Sequence, residues 1–295
     1  MKFRITHITA YHYSDPVALS WNKACLLPRD TKRQRCLSGK LKIEPSPVAV
    51  RERSDCFGNR KSYFSLQKSH PELIVTAISE VDVSPSLDLA LLGNASWEDI
   101  RVQLATPGAE EVLEALPFLH ESALVQGLRP LAAYARPSFV SGRPLVEAVG
   151  ELMQRIYQDF KYDKGSTNIA TPVAEVMTNH HGVCQDFAHL GVGCLRALGL
   201  AARYVSGYIE TQPLPGTERL IGADASHAWF SVYCGADGWI DFDPTNNQVV
   251  SDQHVTLAWG RDFSDVSPLR GVAFGGGEHQ VNVSVDVSRI AEARV

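Results

Sequence analysis

Phe3, Ile5, His7, Thr9, Tyr11 and Tyr13 occupy every second position at the start of the chain, the period of a half-buried strand. Strand-like runs recur at 39–44, 61–67 and 72–83, and in the last of these Leu73, Val75, Ala77, Ser79, Val81 and Val83 share one face. Glu44-Pro45-Ser46-Pro47 and Phe57-Gly58-Asn59-Arg60 supply turns between them. Short strands at this spacing predict an antiparallel β-sandwich over residues 1–100.

The pattern changes near residue 100. Thr106-Pro107 reads as an N-cap followed by Pro at the first helical position, ahead of Val112, Leu113 and Leu116. A longer helix is predicted from Pro144, because Leu145, Val146, Val149, Leu152, Met153, Ile156, Tyr157 and Phe160 form a continuous apolar stripe. Thr171-Pro172 opens a third helix that stops before Gly182. A fourth is predicted from about Cys184 to Leu198, with Gly199 as its left-handed stop. Strand-like runs follow at 201–209, 226–234, 239–243 and 281–287. Helices followed by strands, without βαβ alternation, predict an α+β region over 101–295.

Composition narrows the class. The 295 residues are 44% apolar and 21% charged, which excludes a disordered or coiled-coil chain. Twenty-eight basic against thirty-three acidic residues give a net charge of −5, so neither nucleic acid nor an anionic membrane is an expected partner. One basic cluster, Arg29, Lys32, Arg33 and Arg35, is expected to be a solvated loop. No run approaches the ~18 apolar residues of a membrane span, and the alternating N-terminus lacks the apolar block of a signal peptide. Six cysteines without a C-x-x-C pair are too sparse for a disulfide scaffold, and the expected compartment is the reducing cytoplasm.

The chemistry concentrates in His180-His181-Gly182-Val183-Cys184-Gln185-Asp186-Phe187-Ala188-His189. Cys184 follows a Gly turn and opens a helix, where free amides and the helix dipole stabilise a thiolate and can support an oxyanion. Cys194, on the same helix, reads as a buried structural thiol, a reading also open for Cys184. A metal site built from His180, His181, Cys184, Asp186 and His189 is disfavoured, because no second pair lies at zinc spacing. Neither a metal nor a cofactor is expected.

In Ser226-His227-Ala228-Trp229-Phe230-Ser231-Val232-Tyr233 and Gly238-Trp239-Ile240-Asp241-Phe242-Asp243-Pro244, alternation puts His227, Asp241 and Asp243 on one partly polar face. A turn centred on Gly235 would set His227 directly across from Asp243. A slightly earlier turn would select Asp241.

These residues carry a resemblance. G-V-C-Q-D-F-A-H-L, S-H-A-W-F-S-V-Y and G-W-I-D-F-D-P-T-N, in that order, resemble the three motifs of the transglutaminase-like cysteine enzyme superfamily. The opening F-R-I-T-H-I-T-A-Y-H-Y resembles the N-terminal domain of its bacterial members. The resemblance implies a papain-like core, with the cysteine on a helix packed against a small antiparallel sheet. It maps the nucleophile to Cys184, the general base to His227 and the orienting carboxylate to Asp243, and it implies thiolate attack on a peptide or protein amide through a thioester. Cross-linking members in animals use a tryptophan upstream of the cysteine to hold the oxyanion. No Trp lies between residues 140 and 183, and Tyr162 is the candidate replacement. Calcium sites of those enzymes are not evident. The missing tryptophan favours a hydrolase over an amine transferase, and a loop at 210–224 is expected to form a solvated rim over the cleft. A fold that has lost catalysis and serves as an interaction module is the remaining alternative.

Overall fold

The computed structural model describes residues 1–85, 93–106, 108, 110–210 and 226–290. Its N-terminal strands are β1 (Lys2–Ala24), β2 (Gln34–Glu44), β3 (Val50–Ser54), β4 (Arg60–Leu66) and β5 (His70–Val83). The predicted runs fall on β1, β2, β4 and β5. Strand β3 carries no alternation to read, since all its residues are exposed.

Strand β1 is 23 residues long and irregular between His12 and Leu19, so its two halves meet different partners. Residues 2–12 lie between β5 and β14 (His279–Arg289), and residues 20–24 lie between β4 and β13 (Leu269–Gly275). The seven-stranded antiparallel sheet therefore folds over itself. Ile43, Leu73, Val75 and Ala77 from one half bury against Ala24, Phe64 and Leu66 from the other. The sheet is completed by two strands from the far end of the chain.

The helical region contains α1 (Trp97–Ala105), α2 (Glu110–Ala115), α3 (Leu128–Ala135), α4 (Leu145–Asp159), α5 (Val173–Asn179) and α6 (Cys184–Ala197). The last three match the predicted helices. Thr106 does not act as predicted: it is the C-cap of α1, its N–H donating to Gln103 O at 3.2 Å. Ser96 caps the start of that helix, accepting from Asp99 N–H at 3.2 Å while Asp99 accepts from Ser96 N–H at 3.3 Å. Pro107, the partner in the predicted cap, lies outside the described residues.

The core sheet orders β11 (Gln248–Val249), β10 (Trp239–Asp243), β9 (Ser226–Tyr233), β8 (Ala202–Ile209) and β12 (His254–Gly260), all antiparallel. Helix α6 crosses β8 and β9 through Gly191, where a Cβ would meet the Phe230 ring at 2.3 Å, so glycine sets the distance between helix and sheet. At the far end of α6, buried Arg196 donates to Phe118 O, Ala202 O and Arg261 O.

The two layers are joined by apolar packing and by buried amides. Phe3, Ile5, Val81, Val83, Val285 and Val287 pack on Tyr208, Val255 and Leu257 of the core sheet. Gln34 donates to Thr256 O and accepts from Thr256 N–H, both at 2.8 Å. Asn59 does the same for Trp259, donating to its carbonyl at 2.7 Å and accepting from its N–H at 3.0 Å. Arg29 stacks 3.1 Å over the Trp259 ring, and Arg33 donates to Val250 O and Pro85 O. Half of the basic cluster is thus structural, not a solvated loop. Among the described residues no helix is long and apolar enough to cross a membrane.

Candidate active site

Helix α5 ends at His180 in the left-handed region (φ 55), and β7 (His181–Gly182) then pairs in parallel with β6 (Lys161–Tyr162). Gly182 is needed where it stands. A Cβ there would lie 2.8 Å from the Asp186 Cβ and Oδ2. Without that clash, Asp186 folds back to accept from Val183 N–H at 2.8 Å and from the Thr167 hydroxyl at 2.7 Å. Burial raises the Asp186 carboxyl, and these two donors oppose the rise. Cys184, half-buried, is the first residue of α6. The amides of Cys184 and Gln185 open the helix and have no intrahelical carbonyl to bond, so they remain free to face an anion.

His227 reaches Cys184 from β9. The ladder pairs Tyr233 with Trp239 and Phe230 with Phe242, which puts Asp243 level with Trp229, not His227. The predicted register is displaced by two residues because the turn contains a full 3₁₀ turn (Gly235–Asp237) and Gly238 at φ 76. His227 and Asp243 still share a face as diagonal neighbours, and His227 Nε2 lies 2.7 Å from Asp243 Oδ2. Asp241 pairs with Ser231 and stands away from His227. With Nε2 turned to the carboxylate, Nδ1 is left to face Cys184, which acts on the basicity of the imidazole together with Asp243. Burial lowers the basicity of this ring, but the hydrogen bonds and charges of Asp243 and Cys184 prevail and hold it well above the ordinary imidazole range.

Asp243 is completely buried and accepts five hydrogen bonds. Oδ1 takes the N–H groups of Thr245 and Asn246 at 3.0 and 3.3 Å. Oδ2 takes His227, the Asn246 side-chain amide at 2.6 Å and His254 Nε2 at 3.1 Å. His254 Nδ1 accepts from Ser251 N–H at 3.2 Å, which fixes the tautomer with the proton on Nε2. Burial alone would raise the Asp243 carboxyl. The donors from His227, His254 and Asn246 outweigh it and hold it far below the usual carboxylate range.

Two contributors escape the sequence reading. Asn246 closes the third motif quoted above, so a signal for it existed. His254 opens β12 alone, with no motif around it, and only the fold brings it to Asp243. His227, Asp243 and His254 are also the metal-ligand-type cluster found among the described residues, their nearest atoms within 4.8 Å of one another. Hydrogen bonds among the three already use those atoms. The histidines nearer Cys184 diverge: His180 stacks on Phe160, while His189 accepts from Phe263 N–H at 3.2 Å.

Tyr162 lies on β6 opposite Gly182, two residues before Cys184, and is half-exposed. Burial and the neighbouring Cys184 both raise its phenol. A cleft of about 490 Å³ opens above Cys184 and His227. Tyr204 and Phe263 line it from the core, and Tyr11, Val281 and Val283 line it from the N-terminal sheet. Of the loop expected to form its rim, 210–224, all but Glu210 lies outside the described residues.

Comparison with known proteins finds relatives for both regions of the chain. Residues 3–82 match the bacterial transglutaminase-like N-terminal region, and residues 133–244 match the transglutaminase-like superfamily. The chain is 45% identical over 294 residues to the uncharacterized protein Rv2569c of Mycobacterium tuberculosis, covering 97% of this chain and 92% of that one. It is 30% identical over 293 residues to the uncharacterized protein ML0607 of Mycobacterium leprae, covering 98% and 99% respectively. A solved structure described as a candidate cysteine protease from Cytophaga hutchinsonii covers 100% of this chain and 92% of its own at TM-score 0.73 and 24% identity, which shows a shared fold. With both of its regions matched and Cys184 and His227 meeting at the cleft, the chain belongs to the transglutaminase-like superfamily, a cysteine-dependent enzyme family.

Proposed function

We propose that the chain is a thiol-dependent amide hydrolase, a peptidase or amidase acting through a thioester on Cys184. The observation that carries this reading is Cys184 and His227 side by side in the lining of one open cleft, with His227 held from behind by Asp243. The Cys184 thiolate attacks the amide carbonyl carbon, and the oxyanion is received by the free amides at the start of α6, with the Tyr162 hydroxyl as a candidate second donor. The His227 imidazolium gives its Nδ1 proton to the leaving nitrogen as the C–N bond breaks, leaving a thioester and a neutral ring. That ring then takes a proton from water. The hydroxide adds to the thioester, the carboxylic acid leaves, and the thiol returns. Asp243 keeps Nε2–H pointed away from Cys184 throughout.

Amine transfer is the second reading, because an amine can replace water at the thioester. Hydrolysis is favoured by the cleft itself: tryptophan is absent from its lining among the described residues. The test is product partitioning of a peptide amide in millimolar primary amine, read by mass spectrometry. Free acid as the main product is expected. Predominant amine adduct would replace hydrolase by transferase, and no thioester with any substrate of a peptide library would favour the non-catalytic module.

A further inference from the structure

A second cavity, about 430 Å³, lies on the face of the core sheet turned away from α6. Arg203, Asp241, Trp239, Trp259, Arg33 and His254 are among its lining residues. Across this face Arg203 on β8 pairs with Ser231 on β9, and Ser231 pairs with Asp241 on β10. These three neighbours share an unusual property. Among the described residues, nothing hydrogen-bonds Arg203 Nε, Ser231 Oγ or Asp241 Oδ1, although all three atoms are buried. Buried polar atoms are satisfied in the great majority of cases, so three orphans in one row, two of them on residues that line the cavity, mark a place where something else binds.

The charges say what that something is. Arg203 is 8% exposed and is held between Trp259, 3.6 Å from its guanidinium carbon, and Trp239 at 4.3 Å. Ring faces fix the guanidinium plane but accept no hydrogen bond along its edge, so its donors stay available for a carboxylate. Burial pulls this guanidinium down to about 9, with Asp241 as the first opposing charge. The cation and the anion sit two strands apart, about 10 Å between backbones. That spacing keeps Arg203 and Asp241 from pairing with each other and leaves room for a molecule between them. A lone inorganic anion would leave Asp241 with only the charge of Arg33, which also lines the cavity, and a simple amine would leave Arg203 unmatched.

We propose that this cavity binds a small zwitterion of dipeptide size, its carboxylate taken by Arg203 and its ammonium by Asp241. The cavity is distinct from the Cys184 cleft, although His254, which holds Asp243, also lines it, and binding in it does not depend on the reaction proposed at Cys184.

Titration calorimetry of the full chain carrying Cys184→Ala, with Ala-Ala, Ala-Phe and Ala-Glu as probes, tests this without turnover. One-to-one binding of at least one dipeptide is expected. Its N-acetylated and C-amidated forms should each bind about tenfold or more weakly, the worth of one charged hydrogen bond. Arg203→Gln should remove the preference for a free carboxylate, and Asp241→Asn should remove the preference for a free ammonium. Because each substitution has its own blocked ligand, either variant decides the matter if the other fails to fold. No binding by any dipeptide would overturn the proposal, since the orphan atoms then hold only water. Equal affinity for blocked and free forms would overturn it as well.

Discussion

His254 donates its Nε2–H to Asp243 Oδ2 at 3.1 Å, the same oxygen that lies 2.7 Å from His227 Nε2. The carboxylate that orients one imidazole is therefore itself held by another. Removing that donor should let the Asp243 carboxyl rise and loosen its grip on His227. His254→Phe is expected to cost about 3–10-fold in kcat, and to move the alkaline limb of the pH–rate profile toward neutrality. His254→Gln, which can still donate, should restore most of that shift. A unified loss of activity with no change in the profile would make His254 merely structural.

Asp243→Asn should reduce kcat on the order of 10–10³-fold, less than the ~10⁴-fold of an orienting aspartate in a serine triad, because a thiol needs less help from its base. The stability consequence has a definite sign. The Asp243 carboxyl is depressed on folding, so its contribution is present above its unfolded value of about 3.9 and is lost as pH falls through the folded one. His227 is raised, so its contribution is present below about 6.5 and lost as pH rises through the higher folded value. Urea titrations of the parent and of Asp243→Asn across both windows should show the difference shrinking at each end. A constant difference would remove the linkage.

Iodoacetamide at mildly acidic pH should label Cys184 before any other cysteine. Cys25, Cys194 and Cys234 are buried, and burial pushes each of these thiols up. The real competitor is exposed Cys56, which has access but no adjacent imidazole or helix start. Peptide mapping that finds Cys56 modified first would refute the assignment, as would turnover by Cys184→Ala.

Acid should weaken the fold before the depressed Asp243 carboxyl titrates. His7 and His189 are buried, and burial lowers each from 6.5 to about 4. Between those values the unfolded chain binds the extra proton, so stability is complete above about 6.5 and declines as pH falls. Each histidine contributes on the order of 2 kcal/mol to the loss between pH 7 and about pH 5. His189→Gln keeps an acceptor for Phe263 N–H, and should flatten the pH dependence of the urea unfolding free energy by about that amount. An unchanged slope would mean that the ring is protonated in the native state.

What could be read in advance was whatever had a local cause. Gly182 before Cys184 and the apolar periodicity beyond it announce a helix start, and alternation in 226–233 gives His227 its face. Asp243 was legible as a residue but not in its register, because the ladder depends on how many residues the turn at 235–238 consumes. Thr106 has the chemistry of either cap, and the Ser96–Asp99 pair upstream decided which end it closes. His254 and the partners of β14 depend on contacts between residues far apart in sequence, which leave no periodic trace. The row of Arg203, Ser231 and Asp241 is of the same kind. Each is unremarkable within its own strand, and only the sheet makes them neighbours.

Strand β14 supplies Val281 and Val283 to the cleft, and it follows every core element in the order of synthesis. On the ribosome, Cys184 and His227 emerge well before the strand that roofs them. A nascent chain can therefore hold the reactive pair without a walled substrate site, and the enclosure forms only when residues 279–289 align along β1. The fold thus makes the walled pocket the last part of the site to be completed, after the thiol and its imidazole have both been made.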